Sequence, residues 1–220
     1  LHRVRTTAGS LLARAVIVAS GSEPRRLGVP GEERLRGKGV SYCATCDGAF
    51  FQDREVVVVG GGDSAFQEGT FLTRYAKKVT IVHRRGEFRA QPALVEKARR
   101  DPKIAFITHA VVEEILGDRR VEAVRLRDVR DGRTWQIPAE GVFPYIGHVP
   151  MSGFLPPEVR RDAEGRVVAG EDTRTGFPGV FAAGDIRPKP LRQITTAVAD
   201  GSTAAMAAEH YLTGTTTLSY

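Results

Sequence analysis

An α/β fold is predicted for this chain of 220 residues, and three observations carry the prediction. A valine run, Val56 to Val59, ends in Gly60-Gly61-Gly62 and is followed by helically spaced apolar residues from Asp63 to Tyr75, then by a second strand, Lys78 to His83. That is a strand–helix–strand unit of about 30 residues, the length a parallel crossover needs. Short alternating strands fill 104–143, an antiparallel meander appended to the parallel sheet. Two proline- and glycine-rich stretches, one over Pro24 to Gly31 and one over Pro144 to Pro157, read as crossings between domains.

In chain order, a short polar lead-in precedes a strand over Ala15 to Ala19 that ends in Ser20-Gly21. The first crossing and a segment holding Cys43 and Cys46 come before the glycine turn. After the second strand, a helix is expected over Ala93 to Arg100, stopped by Asp101-Pro102. The meander strands are expected at 105–108, 111–116, 121–128 and 135–137, with Gly117-Asp118 and Asp131-Gly132 as turns. A strand from Val180 ends in Gly184-Asp185, and Ile194 to Leu212 reads as a buried C-terminal helix. There is no internal repeat.

Composition narrows the function classes. A hydrophobic content of 41% is ordinary for a soluble globular protein. No apolar run nears the roughly 18 residues of a membrane span, and no signal-peptide pattern opens the chain, which begins with Leu1. The net charge of +6 is spread over scattered arginines, with one tight group at His83-Arg84-Arg85. No arginine stripe alternates with aromatics, so no nucleic-acid partner is expected. Phosphate binding at that group is.

Gly60-x-Gly62-x-x-Ala65 fits a dinucleotide fingerprint in its proper setting, after a strand and before a helix. The first glycine permits the tight turn, and the second admits the pyrophosphate. The small third residue lets helix and strand pack closely, while the helix N-terminus offers free N–H groups. An NAD site places an acidic residue roughly 20 positions on, for the ribose 2′-hydroxyl. Here His83, Arg84 and Arg85 stand there, with Arg89 a turn later. Guanidinium groups bind phosphate bidentately, so NADPH is expected.

The chain's only cysteines stand at Cys43 and Cys46. A structural zinc site needs four ligands, and there is no second Cys-x-x-Cys pair. As a staple, so small a loop stabilises by only about 2 kcal/mol. Two inert buried thiols remain as the bland alternative. A redox pair needs two sulfurs that bond without strain and a proton donor for the leaving thiolate. Cys-x-x-Cys supplies the first and Asp47 the second, which favours the redox reading.

Cys43-Ala44-Thr45-Cys46-Asp47-Gly48, Gly60-Gly61-Gly62-Asp63-Ser64-Ala65, His83-Arg84-Arg85-x-x-x-Arg89 and Gly179-Val180-Phe181-Ala182-Ala183-Gly184-Asp185 together resemble the low-molecular-weight thioredoxin reductases of bacteria. The resemblance runs from about Ala15 to Leu212. It implies two Rossmann-like, three-layer ββα domains, with an NADPH domain (23–147) inserted in an FAD domain (1–22 and 148–220). It implies that Cys46 faces the flavin, Cys43 attacks thioredoxin and Asp47 acts as acid/base. Gly184 and Asp185 would bind FAD, and Arg192, Gln193 and Ile194 would line the flavin. Gly60, Gly62, Asp63, Ser64 and Ala65 would hold the NADPH pyrophosphate. Electrons would pass from NADPH to FAD, to the Cys43–Cys46 disulfide and on to thioredoxin.

A homodimer and a large rotation between the domains come with the same resemblance, and the reducing chemistry favours the cytoplasm. The family's layout opens with a strand and a Gly-x-Gly-x-x-Gly turn for FAD, so on the order of 100 residues are expected to be missing before Leu1. Two alternatives accompany this reading. One is the related flavoprotein that reduces a peroxide-scavenging partner, and the other is an NADPH-binding module with no complete flavin site.

Overall fold

The computed structural model describes residues 1–214, and the chain divides into two compact units. One is Pro24–Gly147; the other joins Leu1–Glu23 to the segment from His148. The end of the 148–220 segment, from Thr215, lies outside the described residues.

The discontinuous unit opens with strands β1 (His2–Thr6) and β2 (Gly9–Ala13), an antiparallel hairpin with His2 opposite Ala13. The polar lead-in expected here is therefore a hairpin. Only His2 and Val4 of β1 and Ala13 of β2 are half-buried, so a single large apolar residue marks the inner face and the alternation is too weak to read. Its turn is closed by Thr6 Oγ1, which donates to Gly9 O at 3.0 Å and accepts from Ala8 N at 3.2 Å. Strands β3 (Val16–Val18) and β4 (Ser22–Pro24) follow.

The continuous unit contains α1 (Ala44–Asp47), a single turn that runs into a 3-10 turn at Gly48–Phe51. Next come β5 (Glu55–Val59), α2 (Asp63–Leu72), β6 (Lys78–Val82) and α3 (Pro92–Arg99). Strands β7 (Ile104–Ile107), β8 (Ala110–Leu116), β9 (Ala123–Asp128), β10 (Thr134–Pro138) and β11 (Gly141–Pro144) complete it. β5, β6, β7 and β11 form one parallel sheet in the order β11-β5-β6-β7. The antiparallel meander is β8-β9-β10 alone. The expectation that all of 104–143 is meander is thus corrected at both ends. Ile104-Ala-Phe-Ile107 and Gly141-Val-Phe-Pro144 are unbroken apolar runs, the pattern of strands in a covered parallel sheet.

Three layers result, and the valine run explains them. Val56 and Val58 pack with Phe66, Leu72 and Ala98 of the helices on one face. Val57 and Val59 pack with Val112, Ile115, Val124 and Leu126 of the meander on the other. Period-two alternation thus sends successive valines into opposite cores, and each contributes about 1.5–3 kcal/mol by burial.

In the discontinuous unit, β12 (His148–Pro150) pairs with β4, and β13 (Val180–Ala182) runs parallel to β3. The final helix, α4 (Ile194–Thr213), was expected to be buried and is not. Only Ala204, Ala207 and Ala208 are covered, against Phe181, Ala183 and Ala15. Ile194 is 84% and Val198 63% exposed. Alanine-rich helices read as apolar on every side, whereas a stripe spaced by three and four residues is what packs here.

Candidate active site

The two cysteines are joined as a disulfide with Cα atoms 5.3 Å apart. Cys43 is half-buried and Cys46 exposed. Cys43 caps α1: its Sγ accepts from Cys46 N at 3.2 Å, and its carbonyl accepts from Asp47 N at 3.1 Å. The Tyr145 hydroxyl, just past β11, accepts from Ala44 N, the first amide of the helix, at 2.8 Å. Ser41 Oγ donates to Asp47 Oδ2 at 2.6 Å and accepts from Cys43 N at 3.2 Å. Burial, then the nearby Glu68 and Asp47 carboxylates, pushes the Tyr145 phenol up, so it stays protonated. Burial likewise raises Glu68 on α2, whose Oε2 finds no partner among the described residues. Ser41, Glu68 and Tyr145 were not foreseen, since only the fold brings them to the disulfide segment.

The glycine turn joins the end of β5 to α2. Gly60 N donates to Val82 O at 3.0 Å, and a Cβ on Gly60 would stand 2.4 Å from Tyr145 O. A Cβ on Gly61 would stand 2.4 Å from the His83 ring, and Gly61 O accepts from Arg89 N and Ala90 N. Gly62 differs: a Cβ there meets nothing within 4 Å. It is the N-cap of α2 and makes no side-chain cap, so it leaves the first-turn N–H groups to an anion. Ala65 is fully buried and Ser64 exposed on that first turn. The Asp63 carboxylate accepts from Gln91 N at 2.8 Å and Gln91 Nε2 at 3.2 Å. It thereby holds the 83–91 loop to the helix start.

In that loop His83 is buried, and burial, with the cations of Arg89, Arg84 and Arg85, keeps its imidazole below the usual pKa. Those three guanidiniums are exposed, and none forms an ion pair among the described residues. Gly60, Gly61, His83, Arg84, Arg89 and Tyr145 line one cavity of about 310 Å³. It opens at the carboxyl ends of β5, β6 and β11, where the strand order reverses. In α/β sheets that switch point is where ligands bind. The glycine turn leading into the anion-ready helix, with Arg84 and Arg89 at the same crevice, fits a phosphorylated dinucleotide; Arg85 and the first turn of α2 lie outside the crevice lining.

The discontinuous unit has a polar pocket of its own. Gly184 and Asp185 form a 3-10 turn after β13, and Gly184 N donates to Asp200 Oδ2 at 2.9 Å. Burial opposes the Asp200 charge, but hydrogen bonds from Lys189 and Arg187 outweigh it and hold the carboxyl below its usual range. Asp185 Oδ1 and Arg192 Nε are buried without a partner among the described residues. With His148 and Arg166 they line a cavity of about 190 Å³. Burial, then Arg192, lowers the His148 pKa against Asp185. Gln193 caps α4 in a reciprocal box with Thr196, and Ile194 begins the helix beside it. An unpaired acceptor and donor facing one pocket fit a ligand with both hydroxyl and anionic groups, as FAD has.

A family model described as pyridine nucleotide-disulphide oxidoreductase matches residues 2–201. The chain belongs to the pyridine nucleotide-disulphide oxidoreductases. Within them it is similar to a Listeria innocua protein named thioredoxin reductase, at 55% identity over 210 residues, 94% of this chain and 66% of the relative. A Treponema pallidum thioredoxin reductase is 44% identical over 96% of this chain and 69% of its own length. Among solved structures, thioredoxin reductase from Streptococcus pyogenes superposes with a TM-score of 0.86 at 47% identity, covering 95% of this chain and 69% of that one. The Giardia duodenalis enzyme gives 0.87 at 39%, covering 96% and 70%. The chain thus spans about two thirds of the length of the relatives it matches. Like this disulphide oxidoreductase, the structural neighbours carry Rossmann-type domains.

Proposed function

We propose that this chain performs the NADPH- and FAD-dependent reduction of thioredoxin through the Cys43–Cys46 disulfide. The observation that carries the reading is Tyr145: its hydroxyl holds the first amide of the disulfide helix, while the same residue lines the switch-point crevice. Disulfide and dinucleotide crevice are thus built on one sheet. In this reading 23–147 is the NADPH domain, and 1–22 with the chain from 148 belongs to the FAD domain. Gly60, Gly62, Ser64 and Ala65 shape the pyrophosphate turn, and Asp63 steadies it. His83, Arg84, Arg85 and Arg89 take the 2′-phosphate. Gly184, Asp185, Arg192, Gln193 and Ile194 hold FAD, with the unpaired Asp185 and Arg192 atoms as its polar contacts.

When bound, FAD supplies two-electron transfer from the reduced nicotinamide to the disulfide. The chain's own groups do the rest. As the Cys43–Cys46 bond opens, Asp47 manages the proton at the departing sulfur. The Cys43 thiolate then attacks one sulfur of the partner's disulfide, forming a mixed disulfide and displacing the partner's other thiolate. Cys46 attacks Cys43 Sγ, which restores the internal disulfide and releases the partner as a dithiol. The homodimer implied by the family resemblance and the cytoplasmic setting favoured by the reducing chemistry belong to the same proposal. The exposed Val198 of α4 supports a subunit-covered face, and among the described residues no helix is long and apolar enough to cross a membrane.

The test is absorbance of the purified chain with added FAD, NADPH and oxidised thioredoxin. A flavin band that bleaches with NADPH and recovers on adding thioredoxin is expected. Recovery only with a peroxidase-type partner would replace thioredoxin. NADPH binding with no flavin band would reduce the chain to a nucleotide module.

The arginine loop makes a separate prediction. Replacing Arg84 and Arg85 together by glutamine is expected to raise the KM for NADPH about a hundredfold, since each loses a charge-assisted phosphate bond. The KM for NADH should hardly move. Equal losses with both nucleotides in steady-state assays would show that these side chains do not read the 2′-phosphate.

A further inference from the structure

We propose that Ser41 is a positioning residue that aims the Asp47 carboxylate at the dithiol; the inference rests on the reading of Asp47 as proton donor. Asp47 is the last residue of a four-residue helix, and one turn of helix has little stiffness of its own. Ser41 is anchored elsewhere. Its N–H donates to Val142 O at 3.0 Å, and Val40 before it bridges to Val142. Through these bonds it is tied to β11 and the parallel sheet, and only 7% of its surface is exposed.

The hydroxyl has a single proton to place. Its oxygen already accepts from Cys43 N at 3.2 Å. Of the acceptors in reach, Asp47 Oδ2 lies at 2.6 Å and Cys43 O at 3.4 Å. The shorter contact is the stronger hydrogen bond, so the proton goes there. Ser41 therefore bridges the amide of the first cysteine to the carboxylate after the second, spanning the disulfide loop. With one carboxylate oxygen fixed, the direction of the other is fixed as well.

The charged neighbours of Asp47 do not depend on Ser41. Lys38, Arg54, Arg120 and Glu140 line a cavity of about 410 Å³ with Asp47, and the Tyr145 phenol lies within electrostatic reach of both Asp47 and Glu68. Removing the hydroxyl changes the aim of the carboxylate and withdraws one donor, and leaves those charges in place.

The experiment compares S41A, S41T and D47N holoenzymes by stopped-flow. S41A is expected to bleach flavin with NADPH at the wild-type rate but to lose about tenfold in thioredoxin turnover, the scale of a misoriented proton donor. S41T, which keeps the hydroxyl, should restore turnover. Wild-type turnover in S41A, or a loss that comes with a lowered melting temperature or that a stably folded S41T fails to restore, overturns the inference. D47N separates the layers. Wild-type turnover in D47N removes the reading of Asp47 itself, whereas a loss in D47N with no change in S41A removes only the role of Ser41.

Discussion

Cys46→Ser is expected to lower thioredoxin turnover by at least about a thousandfold, the scale on which removing a covalent participant acts, while NADPH still bleaches bound flavin. The structure explains why the defect is chemical. Cys46 is exposed on a one-turn helix, so serine is accommodated without a cavity. Losing so small a disulfide loop costs about 2 kcal/mol, too little to unfold a domain with two buried clusters on one sheet. Cys43, half-buried at the N-cap, keeps its amide bond to Ser41 Oγ. It remains able to attack a partner disulfide, but the mixed disulfide it forms has no second thiol to resolve it. A covalent complex with thioredoxin, visible on a non-reducing gel, should therefore accumulate in this variant and not in Cys43→Ser. Retained turnover in Cys46→Ser would end the mechanism.

The parts of this chain that were legible are those whose information is local. Val56 to Val59 announces a strand covered on both faces, and Gly60-Gly61-Gly62 before an apolar helix pattern announces the turn. The structure brings Gly60, His83, Arg84 and Arg89 to one crevice, as motif spacing alone anticipated. Where the information is distant, sequence reading failed. Tyr145 meets Ala44 across 101 positions, and no local pattern marks either residue for the other. Ser41 looks like loop filler until β11 is seen to hold it. The β1–β2 hairpin escaped because its half-buried face offers only His2, Val4 and Ala13, too weak an apolar pattern to mark a strand. β7 was read into the meander because an antiparallel strand follows it with almost no break, Ile107 to Ala110, and β11 was not read as a strand of its own. In α4 alanine gives too weak a contrast to tell the covered side from the open one.

Gly60→Ala and Gly62→Ala, two positions apart in one turn, are expected to fail in different ways. At Gly60 φ is +156°, and the new methyl would lie 2.4 Å from Tyr145 O and 2.9 Å from Ala65 Cβ. The carbonyl has little room to withdraw, because Tyr145 N donates to Val59 O at 2.7 Å and holds the same residue's backbone beside β5, one peptide before that carbonyl. Overpacking against backbone that cannot relax costs about 3 kcal/mol, which in a chain of this size lowers Tm by roughly 10 °C. Gly62 meets nothing within 4 Å, so its methyl enters open space and the melting temperature should stay at the wild-type value. That open space is where the glycine turn admits a pyrophosphate, so Gly62→Ala should instead weaken NADPH binding about tenfold or more. Calorimetric melting and nucleotide titration on both variants decide the matter. A wild-type melt for Gly60→Ala would mean that the β11 end yields more readily than its hydrogen bond to β5 implies. Wild-type NADPH affinity for Gly62→Ala would move the pyrophosphate away from the start of α2.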